Sequence, residues 1–208
     1  MTSSKSIAVV SMSTRTPRVG PHVAAFVKKT LDADAAASGL DLPLVDLADF
    51  KLPVYDESVV PFMVPDQATF SHAHSLAWSS EIKRHAGYVL VLPEYNFTLA
   101  GSTKNAIDYL AHEWRGKPVV IVTYGVVGGT YASEHAVHIF TNLKLRVAET
   151  KPQLAFAGNR GPDMFAAVLE GKLGEETVKL WGVEKSESLL KAFDELKELL
   201  KEDGEAKS

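Results

Sequence analysis

The sequence predicts a doubly wound α/β fold, in which helices cover both faces of a parallel β-sheet. Five short, continuously apolar runs alternate along the chain with longer segments of helical period. Strands that are covered on both faces are typically apolar throughout, whereas strands with one exposed face alternate between apolar and polar residues. The chain has 208 residues, of which 46% are hydrophobic, so it is long enough for one domain with its own core.

The five apolar runs are the predicted strands. They are Ile7–Met12, Leu42–Leu47, Tyr88–Leu92, Val119–Val122 and a segment around Leu145–Phe156. The third run reads YVLVL and is the strongest strand signal, and we expect Pro93 to end it because proline lacks the N–H that a ladder hydrogen bond needs. Pro152 interrupts the fifth run, so the bounds of that strand are the least defined.

The segments between the strands have apolar residues three and four positions apart, which predicts helices. The predicted helices are Pro21–Ser38, Asp66–His85, Ser102–Trp114, Tyr131–Lys144 and Ser186–Lys201. Gly39 is expected to end the first helix, and the side chains of Asp66 and Ser102 are expected to cap the second and the third. Residues 50–65 are predicted to be irregular because they contain three prolines.

The C-terminal part of the chain differs in charge from the rest. Residues 170–208 contain 11 acidic residues and 7 lysines, which account for the whole formal net charge of −4. We therefore divide the chain into a domain over residues 1–185 and a C-terminal amphipathic helix with a tail over residues 186–208. The apolar face of that helix is expected to dock on the core, with partner binding as the alternative. The face comprises Leu189, Leu190, Phe193, Leu196 and Leu200.

Composition excludes several classes of function. The chain has no cysteine, so disulfides and thiolate chemistry are ruled out. The negative net charge disfavours non-specific binding of nucleic acid. The N-terminal apolar run, residues 7–10, is too short for the core of a signal peptide or for a membrane span. His135 and His138 are three residues apart without a third ligand nearby, so no metal is expected. We therefore expect a cytoplasmic protein that binds neither nucleic acid nor membrane.

The order of elements also predicts where a ligand binds. At this length the leading topology is flavodoxin-like, with a five-stranded parallel sheet in the order 2-1-3-4-5. In such sheets ligands bind outside the carboxyl ends of the strands, where the strand order reverses between strands 1 and 3. Three loops converge there. They are Ser11–Val19 after strand 1, Pro93–Gly101 after strand 3 and Tyr124–Thr130 after strand 4.

The first of these loops has the composition of an anion site. It reads SMSTRTPRV, which places hydroxyls and two guanidinium groups directly before a helix N-terminus, where free backbone N–H groups favour phosphate. An ordinary polar loop is the alternative. The loop contains neither a G-x-G-x-x-G fingerprint nor a Walker sequence. The third loop, YGVVGG, has three glycines, which let a ligand approach the backbone closely.

Four motifs together resemble one protein family. They are PEYN at residues 93–96, KNAIDYL at 104–110, HEWRGKP at 112–118 and TYG-x-x-GG at 123–129. This set is similar to the NADPH-dependent FMN reductase family of flavodoxin-like flavoproteins, which includes FMN, quinone and azo-dye reductases. The resemblance covers about residues 5–150, so it implies an FMN site within the predicted domain 1–185.

The resemblance also implies site residues. In the family the first loop reads G-S-x-R and holds the FMN phosphate, which implies phosphate contacts from Ser13, Arg15 and Arg18. The same match sets four residues along the edge of the isoalloxazine ring: Pro93, Glu94, Tyr95 and Asn96. It sets two more beside the ring, Tyr124 and Gly125. No side chain needs to act as a catalytic residue, because the flavin carries the chemistry.

These implications lead to a functional expectation. We expect an FMN-containing oxidoreductase that takes hydride from NADPH or NADH and passes electrons to a quinone, a free flavin or a similar small acceptor. One alternative is a redox-sensing protein in which the state of FMN alters partner affinity and turnover is incidental. A flavodoxin-like electron carrier is disfavoured, because residues 1–169 are balanced in charge and carriers dock through strongly charged surfaces.

A homodimer, or a tetramer of two such dimers, is the expected assembly. A single domain of this topology leaves the flavin ring at an open edge, and a second subunit can exclude water from it. One helix carries an apolar stripe that either the sheet or a partner could cover, and the resemblance favours the partner. The stripe consists of Ile107, Leu110, Ala111 and Trp114.

Overall fold

The computed structural model describes residues 5–64 and 69–205. Strands and helices alternate along most of the chain. The strands are β1 (Ile7–Ser11), β2 (Leu44–Asp46), β3 (Gly87–Tyr95), β4 (Thr98–Leu99), β5 (Pro118–Gly125), β6 (Arg146–Val147) and β7 (Gln153–Ala155). The helices are α1 (Gly20–Ala37), α2 (Ala73–Lys83), α3 (Gly101–Asp108), α4 (Thr130–Asn142), α5 (Pro162–Leu169), α6 (Glu175–Glu184) and α7 (Ser186–Glu205).

The sheet has the predicted doubly wound topology with more strands than expected. The order β2-β1-β3-β5-β6 is parallel throughout, and the strand order reverses between β1 and β3. The single fifth strand expected around residues 145–156 is two short strands. β6 pairs with the start of β5 and β7 with its end, and Pro152 lies between them. The fold class is confirmed, and the described residues form seven strands rather than the five expected.

The third strand does not end where the sequence predicts. β3 continues through Pro93 to Tyr95 and folds back onto β4 as an antiparallel hairpin. Proline removes one N–H donor but leaves the chain extended, so Pro93 stays in register with Tyr124 of β5. The turn of the hairpin has positive φ at Asn96 (49°) and Phe97 (62°). The extension places the motif PEYN in this hairpin, at the carboxyl end of β3.

The second and third helices have other bounds than predicted, whereas α1 and α4 each begin only one residue early. α2 starts at Ala73 rather than at Asp66, which lies outside the described residues. The carboxylate of Glu57 accepts hydrogen bonds from the N–H groups of Ser71 (2.9 Å) and His72 (3.0 Å) just before α2. α3 is Gly101–Asp108 rather than Ser102–Trp114, so Ser102 lies in its first turn and does not cap it.

Apolar side chains of the sheet alternate between two cores. In β3, Val89 and Val91 face the layer that contains α1 and α7, whereas Leu90 and Leu92 face the layer of α2, α3 and α4. The stripe considered for a partner belongs to the second core: its three large members are at most 1% exposed, which corrects the interface expected there. They are Ile107, Leu110 and Trp114.

The C-terminal helix packs on the first core. Four of its five predicted apolar residues are buried, and they are Leu189, Phe193, Leu196 and Leu200. Nζ of Lys197 also pairs with Oδ2 of Asp34 in α1 at 2.6 Å. The division of the chain at residue 185 stays a prediction. In the described part of the chain, no helix has both the length and the apolarity needed to cross a membrane.

Candidate active site

A cavity of about 480 Å³ opens at the carboxyl ends of β3 and β5, beside the loop that follows β1. Eight of the nine residues expected in the site line it. They are Arg15, Arg18, Pro93, Glu94, Tyr95, Asn96, Tyr124 and Gly125. The ninth, Ser13, is 1% exposed and is not among the residues that line the cavity. The reversal of strand order therefore creates a crevice at the position that the topology predicts.

The loop after β1 is fixed to the sheet and to α3. Its first residue, Met12, donates its N–H to Val91 O at 3.0 Å and accepts a hydrogen bond from Thr103 Oγ1 at 2.8 Å. At the other end of the loop, Nη2 of Arg18 pairs with Oδ2 of Asp46 at 2.8 Å. These contacts hold the loop in one shape.

Gly20 brings the start of α1 against two side chains of the site. A Cβ atom on this glycine would lie 1.9 Å from Ser13 Oγ and 2.9 Å from the Tyr124 hydroxyl oxygen. Only a residue without a side chain permits so close an approach. Gly20 therefore joins the first loop to β5, a contact that the sequence analysis missed although the glycine directly precedes the predicted helix.

The first loop contains buried polar atoms that lack a partner. The hydroxyl oxygen of Ser11, at the end of β1, and Nη1 of Arg18 have no hydrogen-bond partner among the described residues, and the hydroxyl of Ser13 interacts with that of Tyr124. The first turn of α1 has no acidic residue, and Val19 at its N-cap provides no side-chain cap. A buried polar group without a partner costs about 1–3 kcal/mol, which a bound ligand can offset. Hydroxyls, a guanidinium and a helix N-terminus suit an anion such as the phosphate of FMN.

Arg15 makes a different contact. Its Nη1 donates to the backbone oxygen of Val168 in α5 at 2.8 Å. A guanidinium has five N–H donors, so this bond leaves others for a ligand in the cavity.

The other side of the cavity is formed by the β3–β4 hairpin and the loop between β5 and α4. Oε2 of Glu94 accepts a hydrogen bond from Ala132 N at 3.1 Å, so this carboxylate joins the hairpin to the first turn of α4. Gly128 and Gly129 have φ of 88° and 80°, and a Cβ on Gly129 would lie 2.9 Å from Thr123 Cβ. At Gly125 a Cβ would meet Glu94 Cβ at 3.5 Å, an ordinary contact. The backbone therefore requires glycine at 128 and 129 rather than at 125.

The character of the cavity is mainly apolar. Burial raises the pKa of Tyr124, so its hydroxyl stays protonated at neutral pH and can donate a hydrogen bond. The charged residues of the lining are Arg15, Arg18 and Glu94. Such a site can bind a flat ring at one end and an anion at the other.

Further residues of the lining were missed by the sequence analysis. Residues 157–185 received no predicted element, yet they contain α5 and α6. The lining residues that lie outside the three loops predicted to converge on the ligand are Phe156, Met164, Ala167 and Val168. The sequence PDMFAAVL of α5 has a proline at a helix start followed by apolar residues, a signal for a helix that does not say where the helix packs.

Comparison with known proteins identifies the family. The family model of the NADPH-dependent FMN reductases matches residues 6–158. The chain is 47% identical over 198 residues to the NAD(P)H-dependent FMN reductase ntnL of a Nectria species, a match that covers 94% of this chain and 97% of that protein. It is 31% identical over 158 residues to a quinone reductase of Escherichia coli, covering 73% of this chain and 74% of that protein.

A solved structure supports the fold. The flavoenzyme NAD(P)H:(acceptor) oxidoreductase FerB of Paracoccus denitrificans superposes with a TM-score of 0.64 at 19% identity, covering 93% of this chain and 98% of that chain. The resemblance noted in the sequence, the class of enzyme and the expected flavin and nicotinamide dependence are confirmed. This chain, with its cavity at the reversal of strand order, belongs to the NADPH-dependent FMN reductase family.

Proposed function

We propose that this enzyme binds FMN in the cavity and passes electrons from NAD(P)H to a small acceptor, a quinone or a free flavin. One observation carries the proposal: two guanidinium groups and a mainly apolar slot belong to the same cavity, and Nη1 of one of them, Arg18, is buried without a partner among the described residues. Family membership supports a flavin oxidoreductase that depends on NAD(P)H. The names of the relatives, FMN reductases and quinone reductases, support a small acceptor.

Ser13, Arg15 and Arg18 would hold the phosphate of FMN. Nη1 of Arg18 is a buried donor without a partner among the described residues, and the Ser13 hydroxyl, which interacts with the hydroxyl of Tyr124, would turn to the anion when it binds. Hydrogen bonds to charged groups are worth about 1.5–3 kcal/mol each. The pairing of Arg18 with Asp46 keeps its guanidinium in place before the ligand arrives.

The hairpin and the loop after β5 would hold the ring. On the hairpin the ring contacts are assigned to four residues, Pro93, Glu94, Tyr95 and Asn96. Tyr124 and Gly125 are assigned to the side of the ring. Glu94 would act mainly by holding the hairpin against α4, because its carboxylate already accepts a hydrogen bond from Ala132 N. Tyr124 offers a protonated hydroxyl in a buried setting.

When bound, FMN supplies the capacity to accept hydride from NAD(P)H and to reduce a second substrate. The protein supplies orientation and a dry surface. Tyr124, Phe156 and Met164 are each at most 9% exposed, and their side chains exclude water from the part of the cavity that they line. A nicotinamide and an acceptor would use the same open face in turn.

The visible absorption spectrum of the purified protein tests the cofactor, and steady-state turnover tests the reaction. We expect a yellow protein, or a colourless one that takes up FMN stoichiometrically, and oxidation of NADPH or NADH that depends on added quinone. Failure to bind FMN at micromolar concentration would overturn the proposal. Bound FMN with negligible turnover would instead favour the redox-sensing alternative.

A homodimer remains our proposal for the assembly, supported by the resemblance and by the open mouth of the cavity. Its interface does not include the buried stripe of Ile107, Leu110 and Trp114. Light scattering of the flavin-loaded protein should give twice the chain mass of 22.6 kDa. A mass of one chain would contradict the dimer. The cytoplasmic location stays a prediction, which fractionation of cells can test.

A further inference from the structure

The tip of the β3–β4 hairpin carries an aromatic side chain that the fold does not bury. Phe97 is 72% exposed, and its ring lies edge to face with that of Tyr131 in α4, with the centroids 5.6 Å apart. Tyr131 is itself 47% exposed. The two rings belong to neither of the two cores, so their faces are open to a ligand.

The backbone at Phe97 is unfavourable for an aromatic residue. A two-residue turn joins Tyr95 to Thr98, which pair across the hairpin. It has positive φ at both of its residues, Asn96 (49°) and Phe97 (62°). Asparagine followed by glycine is the preferred sequence for such a turn, and a bulky residue rarely adopts this conformation. Strain of this kind is concentrated where a side chain serves a function, and the turn by itself does not account for a phenylalanine here.

A second cavity, of about 410 Å³, lies between β4, α3 and α4. Its polar side chains are those of Thr98, Lys104, His135 and His138. Lys104 pairs with Asp108 at 2.6 Å, but the two side chains are 45% and 50% exposed, and an exposed pair of this kind is weak. The ammonium group of Lys104 is therefore available to an anionic group in this cavity.

The aromatic pair lies between the two cavities on both of the segments that carry it. On the hairpin, the residue before Phe97 lines the first cavity, which is proposed to hold FMN, and the residue after it lines the second. From the loop after β5 into α4, Val126 lines the first cavity and His135 the second, with Tyr131 between them in the chain. The first cavity, the ring pair and the second cavity therefore follow one another along the surface.

From this arrangement we infer that Phe97 and Tyr131 bind the adenosine end of NAD(P)H, with the adenine base stacked on the rings and the ribose directed to the second cavity. The inference rests on the proposed function and adds a binding site outside the flavin cavity. The flat face of a nucleobase stacks well on aromatic side chains. A dinucleotide whose nicotinamide reaches the first cavity has to leave it across the rim, where the rings are exposed. Lys104 then contacts the 2′-phosphate that distinguishes NADPH from NADH.

A second copy of the chain is the other occupant that two exposed rings suit. The surroundings favour the nucleotide, because an ammonium, a hydroxyl and two imidazole groups lie in the adjoining cavity and can bind phosphate and ribose. The core of a subunit interface is, by contrast, depleted of charged residues.

Phe97→Gly is the most informative variant. It removes the ring, and glycine suits the backbone of the turn, so the hairpin should keep its shape and the free energy of unfolding should not fall. Tyr131→Ala removes the other ring, whereas Tyr131→Phe keeps it. The matched control is Phe62→Ala. Phe62 is also exposed (66%) and also contacts one aromatic ring, that of His112, but it lines neither cavity.

The first readout is binding without turnover. The FMN-loaded protein is titrated calorimetrically with ADP-ribose, which carries the adenosine end of the dinucleotide without the nicotinamide. Phe97→Gly and Tyr131→Ala should each raise its dissociation constant about 5–150-fold, the usual effect of removing an aromatic ring that stacks on a base. Tyr131→Phe and Phe62→Ala should leave it unchanged. Lys104→Met should abolish only the tighter binding of the 2′-phosphate of ADP-ribose relative to ADP-ribose itself.

The second readout is steady-state oxidation of NADPH. Each ring deletion should raise KM for NADPH in parallel with the dissociation constant of ADP-ribose. It should leave kcat unchanged, because the lost contact is made equally in the ground state and in the transition state. A purely structural role of the rings would instead lower the free energy of unfolding in Phe97→Gly.

Unchanged binding of ADP-ribose in both ring deletions would overturn the inference, as would the absence of binding to the unmodified protein at millimolar concentration. A smaller mass of Phe97→Gly in light scattering would also overturn it, because the ring would then belong to a contact between copies. If the protein neither binds FMN nor oxidises NADPH, the proposed function fails, and titration of the flavin-free protein with ADP-ribose still decides the nucleotide site.

Discussion

Replacing Gly20 by alanine is the sharpest test of the proposed phosphate site. The added Cβ would lie 1.9 Å from Ser13 Oγ and 3.0 Å from Ser13 Cβ, with the Tyr124 hydroxyl 2.9 Å away on β5. Ser13 is 1% exposed and Tyr124 is 6% exposed, so neither side chain can move into solvent. Either the Ser13 hydroxyl rotates away from the loop, or α1 shifts outward.

The free-energy cost of each response can be predicted. An extra carbon in a well-packed site destabilises a protein by about 1–3 kcal/mol. Loss of the Ser13 hydrogen bond to a phosphate removes about 1.5–3 kcal/mol of binding free energy, which corresponds to a dissociation constant about 10–150-fold higher. We therefore expect FMN affinity to fall within this range, with a smaller free energy of unfolding.

The assay is a fluorescence titration of the flavin-free protein with FMN, together with urea unfolding. Gly101→Ala is the matched control, because Gly101 also begins a helix and no atom of the described residues lies within 4 Å of its Cβ position apart from its chain neighbours and its own helix backbone. The control should retain both FMN affinity and stability. If Gly20→Ala binds FMN within about twofold of the unmodified protein, a difference of less than half a kcal/mol, Ser13 does not hold the phosphate.

Three further predictions concern single residues. Arg15→Ala should raise the dissociation constant of FMN about 10–150-fold with an unchanged circular dichroism spectrum, and an equal constant would contradict its role. Gly125→Val should lose flavin while Gly125→Ala keeps it, because a single Cβ fits at 3.5 Å from Glu94 Cβ but a branched side chain extends further; full flavin content in the valine variant would refute this. Burial lowers the pKa of Lys117 to about 8, below its unfolded value of about 10.4, so the folded state binds fewer protons between these values and the free energy of unfolding should rise from pH 8 to 10. Lys117→Met should remove that rise in urea unfolding, and parallel pH profiles would be evidence against it.

The central strands could be predicted because burial on both faces leaves a local signature. β1, β3 and β5 are continuous apolar runs in the sequence and form the middle of the sheet. The edge was harder to predict, since β6 and β7 are two and three residues long and depend on pairing with β5. The start of α2 was missed because the N–H groups of the two residues just before it are bound by Glu57, which is 14 residues away from Ser71. A cap of that kind leaves no local pattern.

The residues of the candidate site were likewise predictable only in part. Topology and motif together predict eight residues of the lining, because each lies at or just beyond the end of a strand that the sequence reveals. α5 could not be assigned to the site, because its position depends on tertiary contacts at Val168 and Gly171. The importance of Gly20 likewise follows from the side chains that pack against it.

The two arginines of the first loop have different electrostatic roles. The charge of Arg18 is compensated by Asp46 at 2.8 Å, whereas the contact of Arg15 with α5 is to a neutral backbone oxygen. In the proposed site we therefore expect a phosphate to be attracted more strongly to Arg15, with Arg18 contributing mainly a donor held in a fixed position. Because Arg15 can keep its bond to Val168 while its other N–H groups bind an anion, flavin binding does not require α5 to move. In the proposed site the same side chain would contact both the flavin phosphate and α5.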